Sequence, residues 1–351
     1  MKHLPSILMY DTKPYDREFF ESVNQRYGFT IKYLSDRLTD DNAILAKGYD
    51  AVCLFVNDYV TPKVAEVFAS AGVKLIALRC AGYNNIDLPS VYGKIHVVRV
   101  PAYSPHAVAE HTVALLLALN RKVHRAYWRT REFNFSLTGL MGFDLHGKTA
   151  GIIGTGQIGR LVAQILGDGF GMRILLHDPY PAGEWAASHR FSYVPLETLY
   201  RESDVISLHC PLTPQTIHLI NDESLSLMKK GVFIVNTGRG KLIDTKALIQ
   251  ALKRGHIGAA GLDVYEEETE YFFEDHSDTH IQDDVLARLL TFPNVLVTSH
   301  QAFFTREALT NIAETTLKNI DDFFSGRSLE NEICYQCDMA SCRKKETGRC
   351  F

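Results

Sequence analysis

The sequence predicts an α/β protein with two domains, each a doubly wound parallel sheet covered by helices. Three observations predict this fold. Short apolar runs alternate with helical patterns along the chain, which is typical of parallel sheets. The chain has 351 residues and 46% hydrophobic content, which is enough for about two domains. A glycine-rich turn near the middle of the chain follows an apolar run and precedes a helical pattern.

The predicted strands are short apolar segments that fall into two groups. The first group precedes residue 101, and the second begins at residue 149. The first group comprises residues 7–9, 51–56, 75–78 and 96–100, and the second comprises residues 149–153, 173–176, 205–209, 232–236, 259–262 and 295–298. Two α/β units therefore share the chain.

The change between the units is predicted at Val100-Pro101-Ala102-Tyr103-Ser104-Pro105, where two prolines interrupt regular structure. A long helix is expected from about residue 106 to 129. An amphipathic helix at 309–324, which ends at Gly326, is expected to return to the first unit. The predicted domains are residues 1–101 with 302–333, the inserted residues 102–301, and a cysteine-rich tail at 334–351.

The run Gly154-Thr155-Gly156-Gln157-Ile158-Gly159 has the spacing and context of a dinucleotide-binding turn. It lies between a strand and a helix whose N-terminus would face a pyrophosphate. Asp178 ends the next strand, where an acid accepts hydrogen bonds from a ribose 2′-hydroxyl and repels a 2′-phosphate. The turn therefore predicts NAD rather than NADP as cofactor. A glycine-rich turn that binds no nucleotide is the ordinary alternative.

Polar residues that follow the strands of the second unit are the candidates for chemistry, because these loops face the ligand in a doubly wound sheet. Arg239, Asp263 with Glu268, and His300 follow three successive strands. Hydride transfer to or from a carbinol carbon requires a group that donates or accepts the hydroxyl proton. An imidazole, with an ordinary pKa near ~6.5, does both close to neutral pH. His300 is therefore the expected acid and base.

The other polar residues complete a predicted site for a 2-oxo acid. A carboxylate bonded to the second ring nitrogen would fix the tautomer and favour the charged imidazole, which suits Glu268. A guanidinium binds a carboxylate bidentately and polarises the adjacent carbonyl, which suits Arg239. Asp263 is expected to orient Arg239 or His300. Each residue alone also fits an ordinary loop, and spacing does not choose among the three adjacent glutamates at 266–268.

Four motifs together resemble the D-2-hydroxyacid dehydrogenases, with the D-lactate dehydrogenase branch as the nearest match. They are Gly154-Thr-Gly-Gln-Ile-Gly159, Val235-Asn-Thr-Gly-Arg-Gly240, Gly261-Leu-Asp-Val-Tyr-Glu-Glu-Glu268 and Pro293-Asn-Val-Leu-Val-Thr-Ser-His-Gln-Ala302. The resemblance covers residues 1–331. It implies a Rossmann-type NAD domain inserted into a flavodoxin-like substrate domain. It also implies a catalytic trio of Arg239, Glu268 and His300, with Asp263 in support.

The resemblance implies further contacts with substrate and cofactor. Backbone amides near Ala81 and Gly82 would hold the substrate carboxylate, while Tyr103 and Phe303 would close a pocket that suits pyruvate. The remaining predicted cofactor contacts are Cys210, Pro211, Thr216, Thr237, Gly238 and Asp263. A larger 2-oxo acid is the alternative substrate. The alternative function is that of an NADH-sensing regulatory protein, since the C-terminal binding proteins share this fold.

Composition limits the partners that we expect. The formal net charge is -4, and the longest basic cluster, Arg343-Lys-Lys345, is short, so neither nucleic acid nor an anionic membrane is an expected partner. No apolar run approaches the roughly 20 residues that cross a bilayer, and the first residues lack the apolar core of a secretion signal. We expect a cytoplasmic protein with a small-molecule substrate. The family implies a homodimer or homotetramer.

The seven cysteines are distributed unevenly. Cys53, Cys80 and Cys210 lie in or beside apolar segments and are expected to be reduced core residues. The other four lie within residues 334–351, at a spacing that differs from the usual zinc patterns. They are Cys334, Cys337, Cys342 and Cys350. A redox-sensitive pair or an unstructured tail is favoured over a metal site, so no metal is predicted.

Overall fold

The computed structural model describes residues 4–268, 271–337 and 342–351. The chain forms two compact units, Met1–Ser104 with Thr305–Phe351 and Pro105–Phe304. The boundaries predicted from the sequence are at 101 and 301. Residues 334–337 and 342–351 belong to the first unit, whereas residues 334–351 are predicted to be a separate tail.

The first unit is built on a six-stranded sheet with the order β13-β5-β4-β3-β1-β2. Its strands are β1 (Ser6–Met9), β2 (Thr30–Tyr33), β3 (Ala51–Leu54), β4 (Leu75–Leu78), β5 (His96–Val98) and β13 (Glu332–Ile333). All neighbours are parallel except β5 and β13, which pair antiparallel. The parallel strands therefore have the 2-1-3-4-5 order of flavodoxin-like sheets, which confirms the predicted fold class.

Helices cover this sheet. They are α1 (Pro14–Asn24), α2 (Pro62–Ala71), α3 (Leu88–Val91), α12 (Arg306–Phe324) and α13 (Lys344–Thr347). The side chain of Thr305 caps α12 by accepting a hydrogen bond from the amide of Ala308. α12 packs on α1 and β4 and buries Leu309, Leu317 and Ile320. The predicted last helix therefore belongs to the first unit.

The second unit is built on a seven-stranded sheet in which all neighbours are parallel. Its strands are β6 (Thr149–Ile153), β7 (Arg173–His177), β8 (Ser192–Tyr193), β9 (Val205–Leu208), β10 (Val232–Asn236), β11 (Ile257–Leu262) and β12 (Val295–Val297). Their order, β12-β11-β10-β9-β6-β7-β8, is the 3-2-1-4-5-6 order of the Rossmann fold with a seventh strand added.

Alternation along these strands fills two apolar layers. Ile153 and Ile206 belong to one core cluster, and Ile152 and Val205 belong to the other. Successive side chains of a strand point to opposite faces, so a strand that is apolar on both faces must be covered on both sides. The sheet thus holds its strand ends, and the loops that follow them, in fixed register.

The covering helices of the second unit include two where one was predicted. They are α4 (Pro105–Asn120), α5 (Val123–Arg131), α6 (Gln157–Gln164), α7 (Gly183–Ser188), α8 (Leu196–Glu202), α9 (Asp222–Leu227), α10 (Thr245–Lys253) and α11 (Asp284–Leu290). The long helix expected at 106–129 is interrupted because Lys122 has φ of 50°. Among the described residues, no helix is both long and apolar enough to cross a membrane.

Candidate active site

The loops after β11 and β12 bring a carboxylate and an imidazole together. Nδ1 of His300 lies 2.8 Å from Oε1 of Glu268, and the two side chains are 21% and 23% exposed. The other oxygen of Glu268 accepts a hydrogen bond of 3.0 Å from the amide of Tyr265, which fixes the carboxylate. Among the described residues, none forms a hydrogen bond with Nε2 of His300. This arrangement leaves Nε2 available for a proton transfer.

The three adjacent glutamates, which spacing does not distinguish, have different partners. Glu266 accepts hydrogen bonds from Nε2 of His218 and from the amide of Thr245. Glu267 is exposed and lies 3.7 Å from the ammonium group of Lys241. Glu268 is the acid that contacts His300.

The backbone of His300 has an unusual conformation that aims its ring. Its φ is 54°, in the left-handed region that few residues other than glycine adopt. Its amide donates a hydrogen bond of 2.7 Å to the carbonyl of Asp263. Because β11 and β12 are neighbours, this bond joins the two loops that carry the pair.

Asp263 organises the loop around His300 with its side chain. Its carboxylate is fully buried and accepts hydrogen bonds from the amides of Gln301 and Ala302 and from the hydroxyl of Thr298. Nε2 of His111 lies 3.4 Å from the same carboxylate. Burial alone would raise the pKa of Asp263, but these donors outweigh burial and hold the pKa below its usual value.

Arg239 follows β10 and is exposed. The backbone of its loop is fixed by Asn236, whose side chain donates to the carbonyl of Arg239 and accepts from the amide of Gly238. A Cβ at Gly240 would lie 1.9 Å from the carbonyl oxygen of Tyr265. Only glycine therefore lets the Arg239 loop approach the segment that leads to Glu268.

The glycine turn after β6 has the geometry that its spacing predicts. Gly154 has φ of 94°, and a Cβ there would lie 2.4 Å from the amide nitrogen of Cys210. A Cβ at Gly159 would lie 2.0 Å from the carbonyl oxygen of Gly154. The first and third glycines therefore permit the tight turn and its packing under α6.

Gly156 and the N-terminus of α6 fit a dinucleotide. Apart from the residues next to it in the chain, no described residue has an atom within 4 Å of a Cβ placed at Gly156, so a phosphate could approach the backbone there. No described side chain caps α6, and its first amides are available to an anion. Gln157 and Ile158 occupy the first turn of this helix.

Asp178 is fixed to the same turn. One carboxylate oxygen accepts hydrogen bonds from the amide and hydroxyl of Thr155, and the other accepts from the amide of Tyr180. Burial alone would raise the pKa of Asp178, but these bonds and His177 hold the pKa below its usual value. Asp178 is therefore an anion at neutral pH, as selection against a 2′-phosphate requires.

The other predicted cofactor contacts follow β9 and β10. Cys210 is half-buried, and burial raises the pKa of its thiol to about 11. The hydroxyl of Thr216 donates 2.7 Å to the carbonyl of Pro211, and that of Thr237 lies 2.8 Å from the hydroxyl of Thr112. Gly238 is the next residue after Thr237. Both threonine hydroxyls already bind protein groups, and the contact of these residues with a cofactor stays a prediction.

Two of the predicted substrate contacts lie in the first unit, after β4. Among the described residues, none accepts a hydrogen bond from the amide of Ala81 or Gly82, whereas the carbonyl of Ala81 accepts 2.7 Å from Arg99. The carbonyl of Tyr103 accepts a bond from the Asn311 side chain in the same unit. Phe303, in the second unit, is 8% exposed. Their roles toward a substrate stay predictions.

Sequence reasoning missed His111, which lies on α4 far from the motifs. Its Nε2 is 3.1 Å from the hydroxyl of Thr298 and 3.4 Å from Asp263. A histidine on a largely apolar helix was the available signal, but its partners lie more than 150 residues away along the chain. Only the packing of α4 on β11 and β12 brings them together.

A Rossmann-type sheet that presents a dinucleotide turn and a carboxylate–histidine pair at its strand ends defines a nicotinamide-dependent dehydrogenase. Comparison with known proteins specifies the class. Residues 113–302 match the family described as D-isomer specific 2-hydroxyacid dehydrogenase, NAD binding domain. The chain belongs to the D-isomer-specific 2-hydroxyacid dehydrogenase family.

Relatives extend the similarity over nearly the whole chain. D-lactate dehydrogenase of Escherichia coli (strain K12) is 52% identical over 328 residues, which cover 93% of this chain and 99% of the relative. The structure described as the pyruvate reductase of Chlamydomonas reinhardtii has a TM-score of 0.90 at 45% identity, covering 94% of this chain and 99% of that one.

A structure with bound cofactor is also similar. D-lactate dehydrogenase with NAD+ from Lactobacillus jensenii has a TM-score of 0.80 at 31% identity and covers 93% of this chain and 99% of that one. The present chain is therefore an oxidoreductase that acts on D-2-hydroxy acids with an NAD-type cofactor.

Proposed function

We propose that the protein is an NAD-dependent D-lactate dehydrogenase, which interconverts pyruvate and D-lactate. The observation that carries this proposal is the hydrogen bond between Glu268 and His300 at the ends of neighbouring strands. The similarity to two D-lactate dehydrogenases and a pyruvate reductase supports the substrate. The D configuration follows from the family.

His300 is the proposed acid and base. With Nδ1 bonded to Glu268, the ring can carry a proton on Nε2, and the carboxylate stabilises the doubly protonated form. NADH, when bound, supplies the hydride that reduces C2. Nε2 of His300 then gives its proton to the carbonyl oxygen as that oxygen becomes a hydroxyl. Oxidation of the hydroxy acid returns the proton to Nε2.

Arg239 and two backbone amides are proposed to bind the carboxylate of the substrate. Arg239 is exposed, and although its Nη1 donates 2.8 Å to the carbonyl of Gly238, its guanidinium group has further N–H donors for a bidentate contact. The amides of Ala81 and Gly82 are the further proposed donors. Tyr103 and Phe303 are proposed to limit the size of the substrate side chain. The carboxylate donors orient the carbonyl for reduction, so their loss should raise KM as well as lower kcat.

We propose NAD rather than NADP because Asp178 is held as an anion at the end of β7. A 2′-phosphate would meet this charge, whereas a ribose 2′-hydroxyl can donate to it. The variant Asp178→Ser should raise the ratio of kcat/KM for NADPH to that for NADH by about tenfold or more, which corresponds to at least ~1.4 kcal/mol. An unchanged ratio would contradict the assignment.

An exposed apolar surface supports the proposal of a homo-oligomer. α5 and the residues that follow it carry large apolar side chains that are each at least half exposed, namely Tyr127, Trp128, Phe133, Phe135, Leu137 and Met141. Large exposed apolar side chains grouped in one segment are typical of a surface that binds another protein. A second copy of the chain is the proposed partner, as a homodimer or homotetramer. Light scattering on the purified protein tests this, and a monomer mass would contradict it.

The experiment that tests the proposed function is a comparison of substrates. NADH oxidation is measured with pyruvate, phenylpyruvate, 2-oxoisocaproate, glyoxylate and hydroxypyruvate, and kcat/KM is compared. The proposal predicts the highest value for pyruvate. A higher value for phenylpyruvate or 2-oxoisocaproate would assign the protein to larger 2-oxo acids. NADH binding without turnover of any substrate would instead favour a regulatory protein of this fold.

A further inference from the structure

Four cysteines lie close together in the first unit. They follow the residues proposed for catalysis in the sequence, and the proposed reaction does not use them. Cys334 and Cys337 follow β13, while Cys342 and Cys350 flank α13. Their four sulfur atoms all lie within 4.8 Å of one another. This cysteine cluster contradicts the expectation of an unstructured tail for the described residues of 334–351.

The distances within the cysteine cluster match one tetrahedral metal ion. The sulfur of Cys334 lies 3.7 Å from that of Cys337 and 4.0 Å from that of Cys342. The sulfur of Cys350 lies 3.9 Å from that of Cys337 and 4.0 Å from that of Cys342. Zinc–sulfur bonds of about 2.3 Å in a regular tetrahedron place the sulfurs about 3.8 Å apart.

Other uses of four thiols fit these distances less well. A disulfide requires sulfur atoms about 2.05 Å apart, and all seven cysteines, each of which is described, are free. A four-iron cluster holds its thiolates farther apart, because the irons and sulfides lie between them. A single ion bound by four thiolates is the arrangement that remains, and zinc is the ion that such sites in proteins most often bind.

Hydrogen bonds to residues of β13 and the residues before it attach the segment of Cys342 and Cys350 to the sheet. The amide of Cys350 donates a hydrogen bond of 2.5 Å to the buried carboxylate of Glu332 on β13, and the same carboxylate contacts Nδ1 of His96 on β5. Nζ of Lys344 donates to the carbonyls of Glu330 and Glu332. These contacts place the second pair of cysteines beside the first.

Aromatic packing completes the attachment. The ring of Phe351 stacks on His96 with centroids 4.2 Å apart and meets Tyr92 edge to face. Tyr92 also packs edge to face on Tyr335, between the first two cysteines. The sulfur of Cys337 accepts a hydrogen bond of 3.1 Å from the amide of Cys334, which stabilises charge on a thiolate.

Several cations lie close in sequence to the second pair of cysteines. Four thiolates and one divalent ion carry a net charge of minus two, and four cations lie in the adjoining segment. They are Arg343, Lys344, Lys345 and Arg349. The same stretch of sequence also carries the acids Glu330, Glu332, Asp338 and Glu346, and Glu332 is already bonded by His96 and the amide of Cys350.

We propose that Cys334, Cys337, Cys342 and Cys350 bind one zinc ion in a structural site that fastens this segment to the edge of the first unit's sheet. All four coordination positions are filled by protein, so no position remains for substrate or water. The site is therefore structural, and it is independent of the proposed dehydrogenase function. Metal binding replaces the thiol protons and stabilises the folded segment.

The test is elemental analysis of the full chain purified without chelators. The expected result is one zinc per chain, and exchange with Co²⁺ should give the visible spectrum of tetrahedral cobalt thiolate. Cys337→Ala and Cys342→Ala should lose most of the zinc. These two positions are chosen because they are partly exposed, so that their replacement leaves the core packing intact. Cys53→Ala, a buried cysteine of β3, is the matched control and should keep the zinc.

The outcomes separate the site from the enzyme. Cys342→Ala should keep the turnover of the wild type with NADH while its zinc is lost and its thermal midpoint falls. If Cys342→Ala fails to fold, the cobalt spectrum of the wild-type chain decides the matter. Substoichiometric zinc, stoichiometric iron, or an intact mass lower by the hydrogens lost in disulfide formation would each overturn the proposal.

Discussion

The glycine turn at 154–159 and the loops that carry Glu268 and His300 follow strands of the same sheet. The turn acts through its backbone, whereas the loops act through their side chains. In the turn, side chains are missing where the backbone must pack closely, as at Gly159. In the loops after β11 and β12, two side chains meet over a fixed backbone. We therefore expect cofactor affinity to depend on the backbone of the turn, and proton transfer to depend on the side chains of the loops.

The largest expected effect is the loss of turnover, without loss of NADH binding, when His300 is replaced. His300→Asn removes the imidazole ring, and asparagine tolerates the positive φ of 54° at this position. Without the acid, kcat with pyruvate should fall by about 10²–10⁴-fold, while the dissociation constant of NADH should stay within about twofold of the wild type. Steady-state kinetics and NADH fluorescence titration measure the two quantities. An equal loss in both would contradict the assigned role.

The next effect distinguishes Glu268 from the adjacent Glu267. Glu268→Gln keeps the shape of the side chain but removes the charge that stabilises the imidazolium ring, so kcat should fall by about 10-fold to 100-fold, or ~1.4–2.7 kcal/mol. Glu267→Gln is the matched control, since Glu267 is exposed and contacts Lys241 only at 3.7 Å. Equal losses in the two variants would show that the hydrogen bond with His300 does not matter for turnover.

A substitution in the glycine turn should instead weaken NADH binding and leave kcat nearly unchanged. Gly159→Ala would place a Cβ 2.0 Å from the carbonyl oxygen of Gly154, and relieving such a clash costs about 1–3 kcal/mol. If the turn distorts, the dissociation constant of NADH should rise by up to about 100-fold, while kcat at saturating NADH changes little. Gly183→Ala, where a Cβ meets no described atom within 4 Å, is the control. A fall in kcat alone would contradict the division between the regions.

The last expected effect is on stability and its dependence on pH rather than on turnover. The folded pKa of Asp263 is lowered, so its contribution to the unfolding free energy is fully present above the unfolded pKa of ~3.9 and is lost as the pH falls through the lower folded value. Asp263→Asn should therefore be less stable than the wild type at neutral pH, by about 1–3 kcal/mol. The difference should shrink below about pH 4. Chemical denaturation at several pH values measures this, and a difference independent of pH would count against it.

Much of this architecture could be predicted from sequence because its signals are local. The apolar runs of β1, β3, β4 and β6 and the glycine turn are contiguous, so period and spacing suffice. Thr30–Tyr33 is partly exposed and alternates polar with apolar residues at a sheet edge, and Ser192–Tyr193 has two residues. Neither strand was predicted, because an edge strand needs no continuous apolar run.

Parts of the site could not be predicted because their partners are distant in sequence. Spacing does not distinguish Glu268 from Glu266, and only the family resemblance implies Glu268. The partners that distinguish the two acids, His300 for Glu268 and His218 for Glu266, are distant in sequence. Two helices replace the single one expected at 106–129, and the left-handed Lys122 between them gave no sequence signal. The cysteine spacing predicted no metal site, because the antiparallel pairing of β13 with β5 that supports it is tertiary.

The proposed activity is tested by the reaction of the purified wild type with NADH and pyruvate, with chiral analysis of the product. We expect NADH to be consumed and D-lactate to be formed in equal amounts, and we expect His300→Asn to lose almost all of this activity. Bound NADH that is not consumed with pyruvate, or lactate formed at the same rate by His300→Asn, would contradict it.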